Sequence, residues 1–298
     1  MKKLLEFDGV HRAYERGLDV LHGVTFSLDA GEVVGLLGVN GAGKTTLIRI
    51  AMGMLAADRG GVRVFGMDPR ERAVEVKRRI GYVSEDQILP PFLRVGEVID
   101  IHRNLFPTWD EEMARDLAAT FSLSPGARIS RLSKGQARRV ALVCAAAHRP
   151  ELLLLDEPAG GLDPAARREF LETSIRLLNE AGTTILFSSH YMQDVERVAE
   201  RVVMLHDGAV LIDRSLDDLR ENHCVALVPE SDGVTRERLL GIEGCLGVRE
   251  RTDALHAVFA LGPQRSAAAI ASELRVSNAN CRQVALEEMF IELVGGQS

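Results

Sequence analysis

The first concentration of chemically capable residues is at 38–46, GVNGAGKTT, which fits the pattern G-x-x-x-x-G-K-[ST]. Gly38, Gly41 and Gly43 let the backbone turn tightly, so that successive N–H groups converge on phosphate oxygens. A following helix would add the positive end of its dipole. Lys44 is placed to reach the β- and γ-phosphates of a nucleotide and Thr45 to give its hydroxyl to Mg²⁺, with Asn40 and Thr46 inside the same cradle. A second concentration is Asp156-Glu157, directly after the four leucines 152–155 and before Pro158. Carboxylates delivered by so apolar a strand are costly to bury unless a metal or hydrogen bonds hold them. Asp156 therefore suits Mg²⁺, and Glu157 suits polarising a water for attack on a γ-phosphate.

Other candidates stay ambiguous on residue type alone. His190 follows the apolar stretch 183–188, where an imidazole can hydrogen-bond a γ-phosphate oxygen. Ser133 opens a helical segment, 134–148, and reads as an N-cap. With Gly135 and Gln136 the same helix start can hold an anion, but it has no glycine-rich loop of its own and the anion must be delivered by something else. Asp163 reads as a cap before Pro164. Tyr14, in a polar connection, either stacks on a base or covers a core edge.

These residues need elements to hold them. The run from Val33 reads as a buried strand and the segment after Lys44 as a helix, so the phosphate loop joins strand to helix. Strands are also expected at 4–8, 25–29, 62–65, 80–83, 152–155 and 183–188, and a helix at 69–79 with proline in its first turn. The spacing along 134–148 predicts Val140, Val143, Cys144 and Ala147 on one buried face, with Arg138 and Arg139 turned away from it. Residues 201–205 and 209–212 read as a hairpin through Asp207-Gly208. In a parallel sheet, ligands sit at the carboxyl ends of strands, which would gather Lys44, Asp156 and His190 on one edge. From Glu85 to about Ser130 the pattern shifts to short helices broken by prolines. After Arg214 the phosphate-binding patterns stop, and strands at 225–228, 248–250 and 256–261 with helices at 236–240, 266–274 and near 286–293 predict an α+β appendage.

Composition limits the class. The 298 residues carry 36 Lys and Arg against 43 Asp and Glu, a net charge of −7, which argues against a surface for nonspecific nucleic-acid binding. Four cysteines without a C-x-x-C pair suggest neither a zinc site nor a disulfide framework. Apolar runs fall short of the roughly 20 residues a bilayer span needs. A cytoplasmic chain is expected.

Taken in order, the phosphate loop, LSKGQ at 132–136, LLLLDE at 152–157, GGLD at 160–163 and the strand-end histidine resemble the ATP-binding subunits of ABC transporters. The resemblance covers residues 1 to about 214. It implies an α/β fold for residues 1–214: a P-loop NTPase core with an N-terminal antiparallel β-subdomain and a helical insertion at about 86–148; the small α+β domain expected at 215–298 lies beyond it. It also implies an ATPase using ATP and Mg²⁺, dimeric with a second ATPase subunit, homodimeric or heterodimeric. Such a subunit works at the inner face of the membrane with an integral permease.

By that resemblance Tyr14 stacks on adenine, and Ser133, Gly135 and Gln136 bind the γ-phosphate held by the opposing subunit. Asp163 communicates between the two sites, and His190 is a switch histidine. Glu85 takes the place of a glutamine that touches Mg²⁺ and the attacking water; its charge favours the metal and repels the γ-phosphate. Lys134 and Gly161 also depart from the usual pattern. The FPTWD run at 106–110, AHRPELLLLDEP and the C-terminal LEEMFIELVGG resemble the ATPases of ABC-2-type exporters. A rival expectation is a soluble ABC ATPase acting on ribosomes or DNA without a permease.

Overall fold

The computed structural model describes residues 2–14, 17–86, 89–229, 234–252, 254–276 and 279–295. The chain divides into two compact units, Met1–Asp213 and Arg214–Ser298.

In the first unit an antiparallel sheet is built from β1 (Lys3–Tyr14), β2 (Leu18–Asp29) and β4 (Arg59–Val64), in the order β2-β1-β4. The alternation expected over 4–8 and 25–29 extends into two 12-residue strands, irregular in register near Gly9 and Gly23. Tyr14 is thus the last residue of β1, paired with Leu18, and not part of a loop. A six-stranded sheet takes the order β5-β6-β7-β3-β8-β9, from β3 (Val33–Leu37), β5 (Ile80–Val83), β6 (Leu152–Leu155), β7 (Thr184–Ser189), β8 (Arg201–His206) and β9 (Ala209–Ser215).

Strands β3, β6 and β7 are buried along their whole length, which explains their near-continuous apolar sequence. Each leucine of β6 is 0 % exposed, and burying one contributes about 1.5–3 kcal/mol, enough to keep this strand inside the sheet, between β5 and β7. Parallel register sets Leu155 level with Phe187 and Leu37 level with Ser189. The carboxyl ends of β6, β7 and β3 therefore stand side by side. Asp207 and Gly208, both at positive φ, close the β8–β9 hairpin as a primed turn requires.

The helices are α1 (Lys44–Ala51), α2 (Ala73–Arg78), α3 (Val95–Leu105), α4 (Glu111–Thr120), α5 (Lys134–Ala146), α6 (Pro164–Glu180) and α7 (Met192–Val198). Helix α2 starts four residues later than expected, because Asp68 Oδ1 accepts from the Arg70 N–H at 2.8 Å and holds 68–70 in a turn instead. Helix α5 departs further from expectation. Every residue from Val140 to Ala147 is buried, because α5 is packed against β5 and against α3 and α4 at once. On the β5 side the approach is so close that a Cβ on Gly81 would lie 2.2 Å from the Ala145 carbonyl oxygen.

The second unit is a four-stranded antiparallel sheet in the order β11-β12-β10-β13, from β10 (Cys224–Pro229), β11 (Cys245–Glu250), β12 (Ala254–Phe259) and β13 (Asn280–Arg282). Helices α8 (Leu216–Asn222), α9 (Arg236–Leu240), α10 (Pro263–Leu274) and α11 (Leu286–Gly295) belong to it. Helix α8 and the three-residue β13 were not expected from the sequence; β13 is too short for alternation to register, and α8 follows directly on β9 with no break between them.

Candidate nucleotide site

The loop between β3 and α1 is shaped by Gly43, at φ 100°, where a Cβ would meet Leu21 Cδ2 at 2.5 Å and the Val20 carbonyl oxygen at 3.1 Å. Only glycine fits both this left-handed backbone and that contact. Lys44 follows at the first turn of α1, 5 % exposed, and donates to the carbonyl oxygens of Gly38 at 2.7 Å and Val39 at 3.2 Å. Its ammonium also stands 3.2 Å from Glu157 Oε1, an ion pair without hydrogen-bond alignment, so that oxygen has no hydrogen-bond partner among the described residues.

Glu157 sits just past β6, 7 % exposed and at φ 45°, a strained value for a side-chain-bearing residue. Its backbone is pinned at both ends. The N–H donates to Ser188 Oγ at 2.8 Å, and the carbonyl accepts from Arg138 Nη1 at 2.5 Å and from the Gly160 N–H at 3.0 Å. Glu157 Oε2 lies 2.9 Å from His190 Nδ1. The carboxylate is thus held between an ammonium and an imidazole.

Asp156 is 1 % exposed, and its Oδ1 accepts from Thr45 Oγ1 at 3.1 Å and from Ser188 Oγ at 2.8 Å. Burial pushes its carboxyl above the usual carboxylate range; the hydrogen bonds from Ser188 and Thr45 oppose that, and the Glu157 charge adds to it. A desolvated carboxylate beside a hydroxyl suits a hard divalent cation. Among the described residues no group of three or more His, Cys, Asp and Glu could hold a metal ion. The pair fits Mg²⁺ in the manner of one carboxylate plus phosphate and water oxygens, not a dedicated cage.

A cleft of about 330 Å³ opens over these groups, lined by Tyr14, Val20, Asn40, Gly41, Gly43, Lys44, Thr45, Thr46, Glu85 and Glu157. Tyr14 is 37 % exposed; its hydroxyl is 3.2 Å from Thr46 Oγ1, and the Arg12 guanidinium lies 5.5 Å from its ring centroid. Gly38 enters through its carbonyl on Lys44, and His190 through Glu157.

Four expected site residues stand apart. None of Ser133, Gly135, Gln136 and Asp163 is among the residues lining the cleft. Ser133 and Gln136 form a reciprocal capping box at the start of α5, with bonds of 3.2 and 3.0 Å. Asp163 caps α6 by accepting from the Ala165 and Ala166 N–H groups.

Two residues escaped the sequence reading. Ser188 joins Asp156 to Glu157; its only sequence signal is a hydroxyl interrupting an apolar strand. Arg138, expected to face away from the buried side, instead reaches the Glu157 and Glu85 carbonyls. It lies seven residues before Ala145, two helical turns, and therefore on the face that packs against β5.

The ABC transporter family model matches residues 21–160. ABC transporter ATP-binding protein YtrB of Bacillus subtilis (strain 168) is 29 % identical over 284 residues, 94 % of this chain and 95 % of that protein. Nod factor export ATP-binding protein I of Paraburkholderia xenovorans (strain LB400) is 36 % identical over 209 residues, 68 % of each chain. A solved ATP-binding subunit of an ABC transporter superposes with a TM-score of 0.66 at 32 % identity, over 73 % of this chain and 92 % of its own.

Proposed function

Since this chain belongs to the ABC transporter family as an ATP-binding subunit and ATPase with the P-loop NTPase fold, we propose that it closes face to face on ATP with a second such subunit and powers a separate membrane permease. The observation that supports this reading is the separation of the candidate phosphate-binding residues. Lys44, Thr45, Asp156 and Glu157 gather at the ends of neighbouring strands, while Ser133, Gly135 and Gln136 are not among the residues lining that cleft. A complete site then needs the latter three from the facing subunit, with Asp163 at the seam between the two sites.

In this reading the loop N–H groups and Lys44 grip the β- and γ-phosphates, and Tyr14 stacks on the base. Mg²⁺, held by Thr45 and Asp156 with Glu85 beside them, would neutralise charge on the phosphate oxygens. Glu157 orients the attacking water and accepts its proton, and His190 fixes the Glu157 carboxylate by its hydrogen bond and meets the γ-phosphate. When the phosphate draws Lys44 to itself, Glu157 loses one partner and keeps the other. The carboxylate is thereby freed on the side facing the phosphate and still held on the side facing the histidine.

Among the described residues no helix is long and apolar enough to cross a membrane, so transport calls for a permease partner. The stretch from Glu85 to Val98, between the sheet and the helical insertion, is the proposed docking region; its residues 87 and 88 lie outside the described ones. The FPTWD run and the export named for the Paraburkholderia relative support export.

Glu157→Gln tests the catalytic assignment. Binding of Mg·ATP is expected to persist, while turnover falls by about 10²- to 10⁴-fold. Undiminished hydrolysis would overturn the role given to Glu157.

A further inference from the structure

The cleft carries one carboxylate more than the phosphate-binding pattern calls for, because Glu85 stands where the family places a neutral glutamine. Glu85 lines the cleft together with Lys44 and Glu157. An uncompensated anion there would repel the γ-phosphate and the Glu157 carboxylate alike. Besides Lys44, a positive charge reaches the Glu85 backbone from helix α5. Arg138 Nη2 donates to the Glu85 carbonyl at 3.1 Å, and Nη1 donates to the Glu157 carbonyl at 2.5 Å. Burial pulls its basicity down, and the charges of Glu85, Glu157 and Asp86 push the other way; a guanidinium stays charged throughout. The two planar donors of one side chain thus fix two loops that each present an acid to the cleft.

We propose that Arg138 is a positioning residue that offsets the extra charge of Glu85 while holding the strained backbone of Glu157 in its working conformation. It does both from the helix whose first turn carries Ser133 and Gly135, so that helix is tied within its own subunit to the acid that turns over ATP. Arg138 is not among the residues lining the cleft and acts through the two carbonyls it holds. The proposal rests on Glu157 being the catalytic acid-base group.

The test is a double-mutant cycle on the full chain, reading kcat and KM for Mg·ATP in native, Arg138→Gln, Glu85→Gln and the doubly substituted protein. In the native background Arg138→Gln is expected to cost about tenfold or more in kcat. In the Glu85→Gln background the same change is expected to cost only about threefold, because the charge it offset is gone and only its hold on the Glu157 carbonyl is lost. A residue that served packing alone would cost the same in both backgrounds, and that result, or a loss below about twofold in the native background, overturns the proposal. Should Arg138→Gln fail to fold, Arg138→Met keeps the buried stem and runs the same cycle. Undiminished turnover in Glu157→Gln would remove the catalytic premise, whereas equal losses across the cycle with an inactive Glu157→Gln would remove the role of Arg138 alone.

Discussion

Asp156 illustrates how a single side chain is set for function against stability. Its carboxylate is buried beside Glu157, and two hydroxyls compensate only part of the desolvation. Below the ordinary aspartate range both folded and unfolded chains hold the proton, and the buried group costs nothing. As pH rises through the raised folded value, the folded chain must ionise a desolvated group and that share of stability is lost. Asp156→Asn keeps an oxygen to accept from Thr45 and Ser188 but removes the charge. Its melting temperature is therefore expected to exceed the native value at about pH 7, by more than at about pH 4, while Mg²⁺-dependent hydrolysis is lost. A variant less stable than native at neutral pH, as thermal melts would reveal, contradicts this account of the site. Asp156 and Glu157 were legible in the sequence because four buried leucines lead into them. Ser188, which joins them, was not, because a serine at a strand end has many ordinary uses.

At the scale of elements, the strands that carry the site were the readable part. β3, β6 and β7 are buried along their whole length, so each carries a run of apolar residues, unbroken in β6 and flanked by hydroxyls in β7, and their parallel register brings three loops to one edge. Helix α5 was misread because it is buried on two sides, which erases the amphipathic stripe that would have shown which face Arg138 occupies. The start of α5 caps its own helix and, in the proposed function, also meets a facing γ-phosphate, two duties that substitution can separate. Ser133→Asp retains a good N-cap, so stability should stay within about 0.5 kcal/mol of native. The added negative charge should nevertheless abolish any engagement of a facing γ-phosphate. A denaturation midpoint and a turnover assay on the same sample report the two effects, and full activity with native stability would remove Ser133 from the site.

For the molecule as a whole, the sequence carries the order of its motifs, yet the motifs alone do not say that the phosphate-binding set is divided between two surfaces. The proposed division rests on the fold, which places Lys44 inside the cleft and leaves Ser133 outside its lining. The second unit, Arg214–Ser298, was legible as an α+β body from alternation in its longer strands, while the three-residue β13 left no alternation to read. A transport role further predicts recovery with an integral membrane protein when the chain is purified from its native membranes; recovery with ribosomes or DNA instead would contradict it. The most direct test of the central claim is sedimentation of Glu157→Gln with and without Mg·ATP. A shared site predicts a monomer without nucleotide, a dimer with it, and a monomer under both conditions once Ser133→Asp is added. A dimer that forms without ATP, or one that survives Ser133→Asp, would contradict the account.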